Sequence, residues 1–142
     1  MGIEESEIKK FFDAISKADY RTVSLLIEEN PLLISCRNDF GFTPLHLVAS
    51  QGIDTVKEHS NITSLLISLG ADVNATSSLG WTPLHCIAIN GSIESFDVAK
   101  ILLENNANPN AKNTSGSTPM MMWQHGNEIK ELFIKYGASR QR

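Results

Sequence analysis

The chain is expected to be an all-α solenoid of helix-turn-helix units joined by short hairpin-like turns, and three observations carry that expectation. First, the run Gly41, Phe42, Thr43, Pro44, Leu45, His46 returns as Gly80, Trp81, Thr82, Pro83, Leu84, His85, and in weakened form as Gly116, Ser117, Thr118, Pro119, Met120, Met121. Second, another string interleaves with it: Gly70, Ala71, Asp72, Val73, Asn74, Ala75, then Asn106 to Ala111, then Gly137, Ala138. Third, apolar residues between the two markers recur at helical spacing. Ile62, Leu65, Leu66 and Leu69 fall at i, i+3, i+4 and i+7, as do Ile129, Leu132, Phe133 and Tyr136. Two markers in constant order mean tandem units.

Each element follows from its residues. Before Gly41, Ile8, Phe11, Phe12 and Ile15 mark one helix and Val23, Leu26 and Ile27 a second, separated by Ala18 and Asp19 and closed by Asn30 and Pro31. Helices are expected to begin at Pro44, Pro83 and Pro119. The preceding Thr caps a free backbone N–H, and Pro at the first helical position forfeits no hydrogen bond. Gly52, Gly91 and Gly126 arrive about two turns later and are suited to the left-handed residue that ends a helix. Gly70 and Gly137 are expected to close the second helices. Asn74 to Gly80 and Asn110 to Gly116 carry turn chemistry. Leu25, Leu65, Ile101 and Leu132, with their neighbours Leu26, Leu66, Leu102 and Phe133, are expected to form the shared core, because one helix pair cannot bury its apolar face alone. Met120, Met121, Met122 and Trp123 are expected to fill the core beside the third unit.

This pattern resembles the ankyrin-repeat family, in which G-x-T-P-L-H opens a short helix and a longer helix ends near G-A-D-V-N-A. The resemblance places repeats at about 5–37, 38–76, 77–112 and 113–142, in one domain over 1–142. The first lacks the Thr-Pro turn and resembles an N-terminal cap. Thr43 to Thr82 is 39 residues and Thr82 to Thr118 is 36, against a family period of 33. The extra residues, after Gly52 and Gly91, are expected to extend the turns between paired helices at small cost, or else to form a second contact surface. Met121 stands where the family has histidine, so the fourth unit is expected to be the last, with Lys130, Glu131, Lys135 and Arg140 to Arg142 on a polar outer face.

Composition narrows the function. A net charge of −4 opposes a phosphate-backbone binder, and no apolar run approaches membrane-spanning length. Nucleic acid is therefore not expected as a partner, and a membrane is disfavoured. Cys36 and Cys86 have neither redox nor zinc spacing, which fits thiols in the reducing cytoplasm. No metal and no cofactor is expected. Met1, Gly2 and Ser6 match the loose pattern for N-terminal acylation, but Glu4 and Glu5 would oppose an anionic membrane.

Three function classes compete: a protein-binding module, an enzyme with an unrecognised pocket, and an acylated membrane adaptor. No nucleophile or carboxylate recurs beside His46 and His85 to make a catalytic set. The family resemblance instead implies that each imidazole bonds the Thr of its own motif and the backbone of the next unit. His59 and His125 are expected at the surface. The resemblance further implies that a monomer binds a partner protein on the concave face of turn tips and first helices, as adaptor or by occlusion. Carried onto this chain, that face comprises Asp39, Phe40, Phe42, Ser50 and Gln51; then Ser78, Leu79, Trp81, Ile89 and Asn90; then Thr114, Ser115, Ser117, Gln124 and His125. Turn tips are usually polar, so Phe40, Phe42, Leu79 and Trp81 either pack on one another or anchor an interface.

Overall fold

A computed structural model describes residues 3–50, 56–90, 95–123 and 126–138. The chain forms α1 (Glu5–Ser16), α2 (Tyr20–Glu29), a 3-10 turn (Pro31–Ser35), α3 (Pro44–Ser50), α4 (Val56–Ser68), α5 (Pro83–Asn90), α6 (Phe96–Glu104), α7 (Pro119–Met122) and α8 (Asn127–Lys135), with no strand among the described residues. The helices stand in two rows. α1, α3, α5 and α7 pack in succession along one row, and α2, α4, α6 and α8 along the other.

Local chemistry explains where helices start and stop. Glu4 and Glu7 form a capping box on α1, Asp19 accepts from Thr22 N–H at 3.1 Å, and α3, α5 and α7 begin at the expected prolines. After α4, α6 and α8 the backbone turns left-handed at Gly70, Asn106 and Gly137. There Ala71, Ala107 and Ala138 donate back to Leu66, Leu102 and Phe133 at 2.9–3.0 Å, closing each helix with the same two-bond cap. Asn106 takes this conformation because a short polar side chain tolerates it better than most. Gly126 does not behave as the sequence suggested. Its φ of −66° and ψ of 179° make it the N-cap of α8, while α7 ends in extended backbone at Trp123.

The core column also sits differently from its sequence reading. In the outer row, Val23, Ile62, Val98 and Ile129 are buried, and so are Ile27, Leu66, Leu102 and Phe133 one turn later. Leu25 is 51% exposed, Leu26, Leu65 and Ile101 are half-buried, and Leu69 lies at the surface. The α2 residue equivalent to Leu66 is Ile27 rather than Leu26, and a single step along a helix turns a side chain by about 100°. In α4 the buried stripe is His59, Ile62, Thr63 and Leu66, at i, i+3, i+4 and i+7. His59 is therefore inside rather than at the surface. Thr63 is accommodated because its hydroxyl donates to the His59 carbonyl at 2.7 Å. Part of the longer period after Gly52 is absorbed by helix: α4 has 13 residues where α6 has 9. Gly52, Gly91 and the residues around them lie outside the described structure.

Met120 is buried as expected, Met122 and Trp123 are half-buried, and Met121 is exposed rather than in the core. No further helix pair stands beyond α7 and α8 in the described structure to cover it. Its sulfur still accepts the Thr118 N–H at 3.4 Å, in the manner of a histidine nitrogen. Lys130, Glu131 and Lys135 lie at or near the surface of α8, and Arg140 to Arg142 fall outside the described residues.

Candidate protein-binding face

Three tight turns precede α3, α5 and α7, and each is built the same way. Gly41, Gly80 and Gly116 share φ of +79°, a conformation open to glycine without a steric penalty. Asn38, Ser77 and Asn113 open the tips, their N–H groups donating to the carbonyls of Phe42, Trp81 and Ser117 at 2.9–3.0 Å. Their side chains brace the loop: Asn38 Oδ1 accepts from Phe40 and Phe42, Ser77 Oγ from Trp81, and Asn113 Oδ1 from Ser115 and Ser117.

The tips are also bonded to one another. Ser78 N–H donates to the Phe40 carbonyl at 3.1 Å, and Thr114 N–H to the Leu79 carbonyl at 3.0 Å. Arg37, which no motif singled out, sends Nη1 to the carbonyls of Gly41 and Thr76, both at 2.7 Å. At the first junction the fit leaves no room for a side chain, since a Cβ on Gly41 would stand 2.8 Å from Ser78 N.

His46 and His85 lie beneath the tips, fully buried. Thr43 N–H donates to His46 Nδ1 at 3.0 Å, which makes Nδ1 the acceptor and puts the proton on Nε2. Nε2–H then donates to the Trp81 carbonyl at 2.7 Å. His85 repeats the arrangement with Thr82 at 3.0 Å and the Ser117 carbonyl at 2.8 Å. Burial pushes the His46 pKa down to about 4 and lowers that of His85, so both are neutral at pH 7. The role implied by the family resemblance, a link between each motif and the next, is what the geometry shows. Burial also pushes the thiols of Cys36 and Cys86 up to about 11.

The four large apolar residues on the tips divide into two kinds. Phe42 and Trp81 are half-buried against the core, with ring centroids 5.4 Å from His46 and 6.3 Å from His85. Phe40 and Leu79, at equivalent positions two residues earlier, are 69% and 63% exposed. Phe40, Phe42, Ser77, Ser78, Leu79 and Trp81 line a recess of about 260 Å³.

The other expected face residues are placed as follows. Asp39, Ser78, Ile89, Asn90, Thr114 and Ser115 are exposed, and Ser117 is half-buried. Ser50 is half-buried and donates its hydroxyl to the His46 carbonyl at 2.8 Å. Gln51, Gln124 and His125 lie outside the described residues. No group of His, Cys, Asp and Glu that could hold a metal occurs among the described residues, and none of their helices is long and apolar enough to cross a membrane.

Comparison with known proteins agrees with this architecture. The family described as ankyrin repeats in three copies matches residues 11–113 and, in a second register, 57–141. The chain is 33% identical to the putative ankyrin repeat protein YahD of Escherichia coli K12, over 77% of this chain and 64% of that protein. It is 30% identical to human protein phosphatase 1 regulatory subunit 27, over 87% of this chain and 75% of that one. Human neurogenic locus notch homolog protein 1 matches at 31% over 77% of this chain, but this covers only 4% of its own length. The chain thus spans just under two thirds of YahD. Motif, fold and matched length agree, and the chain belongs to the ankyrin-repeat family.

Proposed function

We propose that this chain is a protein-binding module whose partner lies across the tips at 38–42, 77–81 and 113–117 and the adjoining first helices α3, α5 and α7, of which Ile89, Asn90 and Met121 are exposed. It acts as an adaptor, or as an inhibitor that occludes a surface of its partner, and not as an enzyme. One observation carries the reading: Phe40 and Leu79 stand exposed on adjacent tips that are pinned to each other by backbone hydrogen bonds. Apolar anchors on a rigid base lose little entropy when a partner covers them. A mobile loop carrying the same residues would lose more.

Several features support the rest. His46 and His85, whose pKa values are lowered, and Cys36 and Cys86, whose values are raised, are all inside the packed array, and none of them lines the recess at the tips. Their shifts come from burial rather than from a reactive cleft. The free thiols suit a reducing compartment such as the cytoplasm. We place four repeats on the four helix pairs, acting as a monomer. The similarity to a phosphatase regulatory subunit accords with a regulatory role.

Affinity capture from native cells tests this, with three baits compared by mass spectrometry: the unaltered chain, Phe40→Ala with Leu79→Ala, and Leu25→Ala on the opposite row. The double variant is expected to lose the specific partner while the Leu25 variant keeps it. Loss with Leu25→Ala alone would move the interface to the outer helices.

A further inference from the structure

The face made by the three tips and α3, α5 and α7 is almost free of charge. Helices α3, α5 and α7 contain no Asp, Glu, Lys or Arg. In the three tips only Asp39 is charged. Most of α3 and α5 is buried, where charge is not expected, so the depletion that bears on a partner is at the exposed positions: Phe40, Ser78, Leu79, Ile89, Asn90 and Ser115 are all uncharged. His46 and His85 add no charge at pH 7, being buried and neutral.

A second recess, of about 370 Å³ between α1 and the first tip, makes the contrast. Glu5, Lys9, Arg37 and Asp39 ring it with both signs of charge. At the tips the lining is Phe40, Phe42, Leu79 and Trp81 with two serines. Ser77 Oγ is already engaged by the Trp81 N–H. The volume of about 260 Å³ falls below the roughly 300–1,000 Å³ of small-molecule pockets. Such a recess suits one bulky side chain better than a whole ligand.

These observations together specify the occupant. A charge carried by the partner into the recess itself would lose its hydration against an uncharged lining, since Asp39 lies outside that lining and Arg37 Nη1 is engaged by the Gly41 and Thr76 carbonyls. An apolar side chain would lose nothing of the kind. We propose that the partner contributes an uncharged peptide segment that inserts one large aliphatic or aromatic side chain between the Phe40 and Leu79 tips, held without ionic contacts. The proposal rests on the protein-binding reading above and fixes the chemistry of the partner.

The fourth pair supplies a control. Its tip carries Ser115 where Phe40 and Leu79 stand, in the same turn with the same glycine φ of +79°. Phe40→Ser with Leu79→Ser therefore copies a tip this chain already tolerates.

The experiment is selection of a phage-displayed random 12-residue peptide library on the folded chain. Affinities of recovered peptides would then be measured by fluorescence titration at 50 and 500 mM NaCl. Recovered peptides are expected to share a Leu, Phe, Trp or Met anchor with uncharged neighbours. Their Kd is expected to change less than threefold between the two salts, because ionic contacts alone are strongly screened. The double serine variant is expected to raise Kd at least thirtyfold, with circular dichroism confirming that it is folded. Enrichment of acidic or basic peptides with strong salt dependence would overturn the proposal, as would failure to enrich any peptide. Peptides that ignore the serine variant but lose binding to Asn90→Arg would overturn it while leaving the concave-face reading intact. Peptides indifferent to both would overturn that reading as well.

Discussion

His46 is where one residue joins two units of the array, and its protonation state is set by that task. Its neutral ring accepts from Thr43 and donates to Trp81. A second proton on Nδ1 would place a donor against a donor in a buried site. With a pKa of about 6.5 unfolded and about 4 folded, the unfolded chain binds more protons throughout that window. Stability is therefore expected to be flat above pH 6.5 and to fall on acidification from 6.5 towards 4, at up to ~1.4 kcal/mol per pH unit for this residue. His85, lowered by the same cause, adds to the fall. Urea unfolding at pH 7.5, 6 and 5 checks this, and a profile flat down to pH 5 would show that the rings are not held neutral. Replacing His46 by Ala leaves Thr43 N–H and the Trp81 carbonyl without their bonds and is expected to cost at least ~2 kcal/mol. Partner binding measured well below the melting temperature should survive. The histidine role was legible only through the family resemblance that the recurring Thr, Pro and His carry. His59 was missed because nothing repeats it, and its inward position depends on a longer α4.

Among the elements, the tips were the most legible and the outer helices the least. Gly, Asn and Ser at fixed offsets announce a turn, whereas Leu65, Leu66 and Leu69 do not say which of them faces inward. Leu25 shows the consequence, since an apolar residue beside a buried one lies on the opposite side of the helix. The tip structure makes two specific demands. Gly41→Ala and Gly116→Ala both force an L-residue to φ of +79°, which costs about 1–2 kcal/mol. Only at Gly41 does the new Cβ also meet the neighbouring tip, at 2.8 Å from Ser78 N, whereas at Gly116 it meets nothing within 4 Å. The Gly41 variant is expected to be the less stable by a further ~1 kcal/mol, the worth of the Ser78 to Phe40 hydrogen bond. Equal losses in urea unfolding would show that the tips are not in close register. The same logic separates the aromatic residues. Trp81→Ala should lower both stability and affinity, because the ring rests on the core. Phe40→Ala should lower affinity with little change in melting temperature.

Across the whole molecule, stability comes from a continuous seam between the two rows of helices rather than from any one pair. Leu102 is fully buried in the middle of that seam. Leu102→Ala is expected to destabilise by about 2–5 kcal/mol, a large fraction of the total for a domain of this size. The global architecture was legible because two interleaved markers fix both the order and the number of turns. The chemistry of the face was less so. It emerges only when tips far apart in sequence are brought side by side, leaving Phe40 and Leu79 outward and Phe42 and Trp81 inward. The absence of charge along α3 and α5 follows from their burial, whereas the uncharged lining between the first two tips has meaning only once those tips stand side by side. The central claim, that the partner covers the tips and inner helices, is tested most directly by hydrogen–deuterium exchange with and without the partner captured from native cells. Slowed exchange is expected at 38–42, 77–81 and the first turns of α3 and α5, with α2 and α8 unchanged. Protection confined to α2, α4 or α8 would contradict it.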